Sequence, residues 1–192
     1  MSPGTTRDPA STQRRLLEAG RDEFAAVGVA GARVDRIAAA ARSNKAQIYH
    51  YFDSKDGLFD AVFDQMCRET VDEVPIDPAD LPEYAGRLHD SYRRRPWVQR
   101  LATWHRLERG ADAALDVVIA SNTTKIESVA RAQSDGLLPT TFTAAELLGL
   151  VIHLSGFWES NVREYDVLVT DVDAARRREV VVAAVAALVS PR

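Results

Sequence analysis

The chain has 192 residues, 46% of them hydrophobic, enough to bury a full core in one domain or in two small ones. Its single cysteine, Cys67, excludes an intrachain disulfide and a zinc-ribbon framework and suits a reducing cytoplasm. The formal charge of −4 is unevenly spread: residues 1–55 hold nine Lys/Arg against six Asp/Glu, a net of +3, and the remainder carries −7. A basic head on an acidic body suits one part that meets phosphate and one that does not. Arg14-Arg15-Leu16-Leu17 has the look of a twin-arginine export signal. Glu18, Arg21, Asp22 and Glu23 follow at once, however, so no apolar stretch stands behind it. The longest apolar run, Val180 to Val189, is ten residues and far short of a membrane span. A soluble, cytoplasmic protein without membrane segments is expected.

Nearly every segment reads as helix. Residues 1–8 are turn-forming and polar and predict a loose arm. Asp8-Pro9 then fits an N-cap with proline in the first turn, and Leu16, Leu17, Gly20, Phe24 and Val27 follow at helical spacing up to a stop at Gly28. A second helix runs from about Val34 to Ala41 with Val34, Ile37, Ala38 and Ala41 on one face. Arg42-Ser43 makes the turn. Asn44 caps a third helix whose inward residues are Ile48 and Tyr51 or Phe52. Asp53-Ser54 caps a fourth, which carries Leu58, Phe59, Val62, Phe63 and Met66 and continues to about Val74. Three prolines within Pro75 to Pro82 cannot continue a helix and mark a domain boundary. Beyond it, helices are expected at about 80–94, 96–109, 112–135, 143–164 and 173–189, separated by Pro96, Gly110, Gly136 with Pro139, and Asp166 to Asp173. The expected fold is all-α, with about nine helices.

Three short helices with a tight turn between the second and third are the pattern of a helix-turn-helix, whose last helix can lie in a DNA major groove. Lys45 and Gln47 fall near the N-terminus of that helix, where side chains reach base edges, and Gln joins donor and acceptor in the pairing suited to adenine. Tyr49 and His50 offer a hydroxyl and an imidazole to phosphate. Ser54 and Lys55 put backbone N–H groups and a cation at the start of the next helix, a place suited to anions. Contacts of this second kind set register rather than sequence. Lys45 and Gln47 alone would equally suit a solvated polar face, and His50 alone a surface or core histidine.

The order is more specific than any one residue. Ile37 to Ala39, Asn44-Lys45, Ile48-Tyr49-His50-Tyr51-Phe52 and Ser54-Lys55 together resemble the tetracycline-repressor (TetR-like) family over residues 10–70. The resemblance implies a helix-turn-helix at 33–52 and DNA-facing positions at Ser43, Asn44, Lys45, Gln47, Tyr49, His50 and Lys55. Two residues depart from the family's habit: Arg33 stands where a hydroxyl residue usually caps the second helix, and Arg42 where the turn usually has glycine. Losing the cap costs roughly 1 kcal/mol, a non-glycine residue strains the turn, and both arginines are placed to add phosphate contacts.

In residues 75–192 the segment around 143–160 carries Leu147, Leu148, Leu150, Val151, Ile152, Leu154, Phe157 and Trp158, too wide an apolar surface for a helix with one buried face. The last helix likewise joins Val180, Val181, Val182, Val185 and Leu188 with alanines. Such helices are either fully buried in a monomer or need a partner subunit. The resemblance implies the second, a homodimer joined by a four-helix bundle, with Leu147, Leu150, Val151, Leu154, Trp158, Val181, Val185 and Leu188 at the interface. A twofold dimer presents its recognition helices to major grooves on the order of 34 Å apart, hence a palindromic operator of double-stranded DNA. The resemblance also implies an effector pocket in this domain. Trp97, Leu101 and Trp104 share a face that Tyr92, His105 and Trp158 can join, although an aromatic stripe at this spacing equally makes plain core.

Weaker signals are the His105–Glu108 pair, two ligands that make no metal site, Arg93-Arg94-Arg95 as an anion holder, and Cys67 as an oxidant sensor. No GxSxG, phosphate loop, HExxH or Cys–His arrangement is present, and the four histidines are scattered, so neither enzyme chemistry nor a cofactor is expected. The reading reached is a ligand-responsive transcriptional repressor. A helical protein–protein adaptor without DNA binding is the alternative.

Overall fold

The computed structural model describes residues 8–109, 116–160, 163–170 and 172–190, and every regular element among them is helical. In order these are α1 (Pro9–Gly31), α2 (Val34–Ala40), α3 (Lys45–Phe52), α4 (Lys55–Glu73), a 3-10 turn (Pro78–Asp80), α5 (Leu81–Arg94), α6 (Trp97–Glu108), α7 (Asp116–Ser134), α8 (Ala144–Ser155), α9 (Phe157–Ser160), α10 (Arg163–Leu168) and α11 (Ala174–Val189). The chain packs as two units, residues 1–67 with 100–113 and residues 68–99 with 114–192. Helices α4 and α6 therefore supply residues to both.

In the N-terminal unit, Asp8 caps α1 by accepting from Ala10 N–H at 3.2 Å, with Pro9 in the first turn where its missing N–H costs nothing. Leu16 and Phe24 of α1, Ile37 of α2, Ile48 of α3 and Leu58 and Phe59 of α4 are fully buried and form one core, in which Phe24 and Phe59 meet edge to face at 5.2 Å. Gly28 stops the regular helix as expected. Its φ of +74° and ψ of 179° are open only to glycine, and the chain resumes one short turn to Gly31. Gly57 is required for another reason: a Cβ there would stand 2.1 Å from the Phe52 carbonyl oxygen, so only glycine lets α4 start this close to the end of α3.

In the C-terminal unit α5 is central. Leu81, Tyr84, Ala85, Leu88, His89 and Tyr92 are buried against α8 and α11. Arg178 of α11 reaches Asp90 at 2.9 Å and Glu83 at 2.6 Å, fixing α11 along α5, and these acceptors hold its pKa above the usual arginine value. A capping box starts α8: Glu146 N–H donates to the Thr143 hydroxyl at 3.3 Å, and Thr143 N–H to the Glu146 carboxylate at 2.8 Å.

The structure adds detail to the sequence reading, and in one place breaks an expected helix. The single helix expected over 143–164 is broken at Gly156, whose ψ of 4° leaves the helical region, so α8, α9 and α10 replace it. The all-α class is as expected, and with that break the described residues form eleven α-helices where about nine were expected. Residues 100–109 fall in the N-terminal unit. Val27, which follows at helical spacing on α1, is 37% exposed. The expected arm at residues 1–7, the breaker Gly110 and the first residues of the helix expected from 112 lie outside the described residues.

Candidate nucleic-acid interface

Helix α3 buries Ile48 and Phe52 and leaves Lys45, Ala46, Tyr49 and His50 exposed, with Gln47 half-buried between them. Of the two inward candidates at the helix end, Phe52 is the buried one. Positions i, i+1, i+4 and i+5 form one face of a helix, so the sequence yields a single outward strip of base, phenol and imidazole. Tyr49 is 50% exposed, and His50 meets the edge of Tyr51 at 5.0 Å.

The predicted contact residues divide by what else they do. Asn44 is the N-cap of α3, its amide oxygen accepting from Gln47 N–H at 3.0 Å, which aligns the helix and occupies that oxygen. Lys45 pairs with Asp35 on α2; both side chains are more than half exposed, so the pair is weakly held and easily exchanged for phosphate. Ser43 is half-buried in the turn, its N–H donating to Ala38 O at 2.9 Å. Arg42 is exposed at a φ of +50°, so the turn does adopt the left-handed conformation that glycine would take without strain. The exposed Arg33 is the N-cap of α2 and makes no side-chain cap. Lys55 does not stand free at the start of α4: its ammonium donates to Ala32 O at 3.2 Å, tying α4 to the α1–α2 turn, while Ser54 Oγ accepts from Gly57 N–H at 2.9 Å.

Three supporting residues escaped the sequence reading. Glu23 of α1 accepts from Arg33 N–H at 3.0 Å and from Arg36 Nε at 2.7 Å, doing for the uncapped α2 what an acidic residue inside a capping box would do. Glu108 of α6 accepts from Val29 and Ala30 N–H at 2.7 and 3.0 Å, satisfying the donors exposed by the break at Gly28. Arg109 bridges Asp56 at 3.1 Å and Asp60 at 2.7 Å in the first turns of α4. Glu108 and Arg109 lie about 50 to 80 residues from what they hold, so no local pattern could have shown them. For Glu23, the only available signal was the missing hydroxyl at Arg33.

The expected effector residues are split between the units. In the N-terminal unit Leu101 is fully buried, Trp104 lies against Gly28, and His105 stacks on Phe63 at 4.4 Å. In the C-terminal unit Tyr92 and Trp158 are buried, Trp97 has the Arg95 guanidinium 5.9 Å above its ring, and Trp158 donates to Arg177 O at 3.1 Å. Trp97 and Trp104, both on α6, fall in different units. The weak signals resolve similarly. Glu108 is spent on α1 and His105 on the phenyl rings, and Arg94 and Arg95 both pair with Glu73 at the end of α4. The Arg94 hydrogen bond first, then Ser91 and the neighbouring charges, keep Glu73 below the ordinary 4.5 against the opposing effect of burial.

Of the residues expected at a dimer interface, Leu147, Val151, Trp158, Val181 and Val185 are buried within the single chain, because α5 and α7 already cover that side of α8 and α5 covers α11. Leu150 stays 37% exposed and Leu154 and Leu188 partly so.

A capped recognition helix, a left-handed turn before it and a basic outward strip define a helix-turn-helix DNA-binding protein. Residues 16–62 match the bacterial regulatory proteins of the tetR family, and residues 80–186 match the tetracyclin repressor-like C-terminal domain. The chain belongs to the tetracycline-repressor family and is a DNA-binding transcriptional regulator. It is 35% identical to the HTH-type transcriptional repressor SCO4008 of Streptomyces coelicolor over 153 residues, 79% of this chain and 80% of that one. It is 26% identical to the HTH-type transcriptional repressor NicS of Pseudomonas putida over 162 residues, 78% and 76% of the two chains. The crystal structure of the Streptomyces coelicolor regulator SCO4942 superposes with a TM-score of 0.84 at 34% identity, covering 94% of this chain and 99% of that one. No described helix is long and apolar enough to cross a membrane.

Proposed function

We propose that this regulator is a cytoplasmic homodimeric repressor, released from a palindromic operator when a small molecule binds its C-terminal unit. The observation that carries the reading is the exposed strip of α3, with Lys45, Tyr49 and His50 on a helix whose other side is locked into the core. Arg33, Arg42, Ser43 and Gln47 flank that strip and supply phosphate and base contacts, while Asn44 and Lys55 hold the helix in place. Relatives named as repressors support the direction of regulation. Leu150, Leu154 and Leu188, left on the surface of α8 and α11, supply the contact for a second copy. The effector acts by binding the arrangement that cannot hold DNA more tightly than the one that can. Helix α4, which has residues in both units, is the element through which that preference passes. The protein works by binding alone, without catalysis.

Fluorescence anisotropy on the DNA upstream of its own gene, against scrambled DNA and across a salt series, tests this. Specific, salt-sensitive binding is expected, with affinity falling linearly in log–log form as salt rises. Equal affinity for both DNAs would refute a sequence-reading role.

A further inference from the structure

Among the described residues of the C-terminal unit is a buried polar pair left without hydrogen bonds. His89 of α5 is fully buried, and neither ring nitrogen has a hydrogen-bond partner. Its Nδ1 lies 3.5 Å from Glu159 Oε2 on α9, and that oxygen is also without a hydrogen bond. Two buried serines of the unit are satisfied: Ser91 donates to Glu73 at 3.0 Å and Ser155 to Val151 O at 2.7 Å. Buried polar groups are nearly always paired, and an orphaned set marks a missing partner. The break at Gly156 creates α9 and so places Glu159 here, and the Ser160 hydroxyl donating to Gln99 Oε1 at 3.4 Å braces the turn. Glu159 keeps 13% of its side chain exposed, while His89 has none.

We propose that His89 and Glu159 are the polar end of the effector site, and that the effector carries a protonated nitrogen, as in an amine or amidine. The proposal rests on the ligand-responsive reading above. A partly desolvated carboxylate favours a counter-charge, and carboxylate oxygens and an imidazole lone pair alike accept N–H bonds. A carboxylate or phosphate ligand would instead meet Glu159 as a like charge.

The test is calorimetric titration of the full-length protein with 4-phenylbutylamine and with 4-phenylbutanoate, which share an apolar body and differ in charge. The amine should bind at least tenfold more tightly, and Glu159→Gln should abolish that preference while circular dichroism shows the fold kept. Should Glu159→Gln fail to fold, His89→Gln carries the test, and the preference should fall at least threefold. An amine that binds the wild type no better than the carboxylate, or a preference that survives substitution, overturns the assignment. Specific operator binding by the ligand-free protein, measured alongside, tests the regulator reading separately.

Discussion

Arg42 and Tyr49 show how single residues divide between holding the turn and meeting DNA. Arg42 occupies a left-handed backbone position at φ +50°, which costs a side-chain-bearing residue about 1 kcal/mol. Arg42→Gly should therefore raise the urea midpoint by the equivalent of about 1 kcal/mol and lower the salt slope of operator binding by about one. A midpoint that drops would mean that the side chain holds the turn through contacts stronger than the strain. Tyr49, half exposed on the outward strip, has little to do in the core. Tyr49→Ala should weaken operator binding about tenfold, roughly 1.4 kcal/mol, and shift Tm by no more than about 2 °C. A large fall in Tm would instead make Tyr49 a structural residue.

At the scale of elements, the ends of helices decide how the interface is held. Glu23 replaces the cap that Arg33 cannot provide, so Glu23→Ala should destabilise the chain by about 1–2 kcal/mol in urea denaturation. Adding Arg33→Thr, which restores a hydroxyl at the N-cap, should recover about 1 kcal/mol in that background. If it recovers nothing, Glu23 acts through Arg36 alone. The junction of α4 and α5 responds to acid. Glu73 titrates below its ordinary 4.5 in the folded chain, first because of the Arg94 hydrogen bond. A depressed folded-state pKa means that its contribution is present above the unfolded value and lost as pH falls through the folded one. The stability difference between wild type and Glu73→Gln should thus be full above the ordinary value of 4.5 and shrink as the pH falls below it, measured by thermal melts across pH. A difference independent of pH would show that the carboxylate's charge is not what matters. The capping box at Thr143 and Glu146 was available to the sequence in principle, since Thr-x-x-Glu before an apolar run is its pattern. The break at Gly156 was not, because a glycine within an apolar run is compatible with a continuous helix.

For the whole molecule, the question is which apolar surface remains once each unit has closed its own core. Residues 143–160 and 180–188 read as apolar nearly all round, and α5 accounts for much of that surface by packing against both helices. What is left partly exposed on α8 includes Leu150, Ile152 and Leu154. Leu154→Glu should shift the sedimenting species from dimer to monomer in analytical ultracentrifugation, with helical content unchanged and operator binding reduced along with it. A dimer that persists would place the interface elsewhere. Trp97 and Trp104 share a helical face because seven residues make nearly two turns, yet the packing partners change within α6 between Gln99 and Arg100.

The sequence by itself determined the all-helical class, the caps at Asp8 and Asn44, the stop at Gly28 and the recognition helix with its inward Ile48 and outward Lys45 and Tyr49. All of these depend on residues within one or two turns of one another, where spacing and backbone preference act directly. Only the tertiary structure decided that Glu23, Glu108 and Arg109 hold the DNA-binding unit together, and that Lys55 is tied to Ala32. It also decided that most of the expected interface leucines and valines are ordinary core, and that His89 meets Glu159. Those outcomes depend on which surfaces meet across tens of residues, and helical periodicity specifies which face turns inward without specifying what it turns toward.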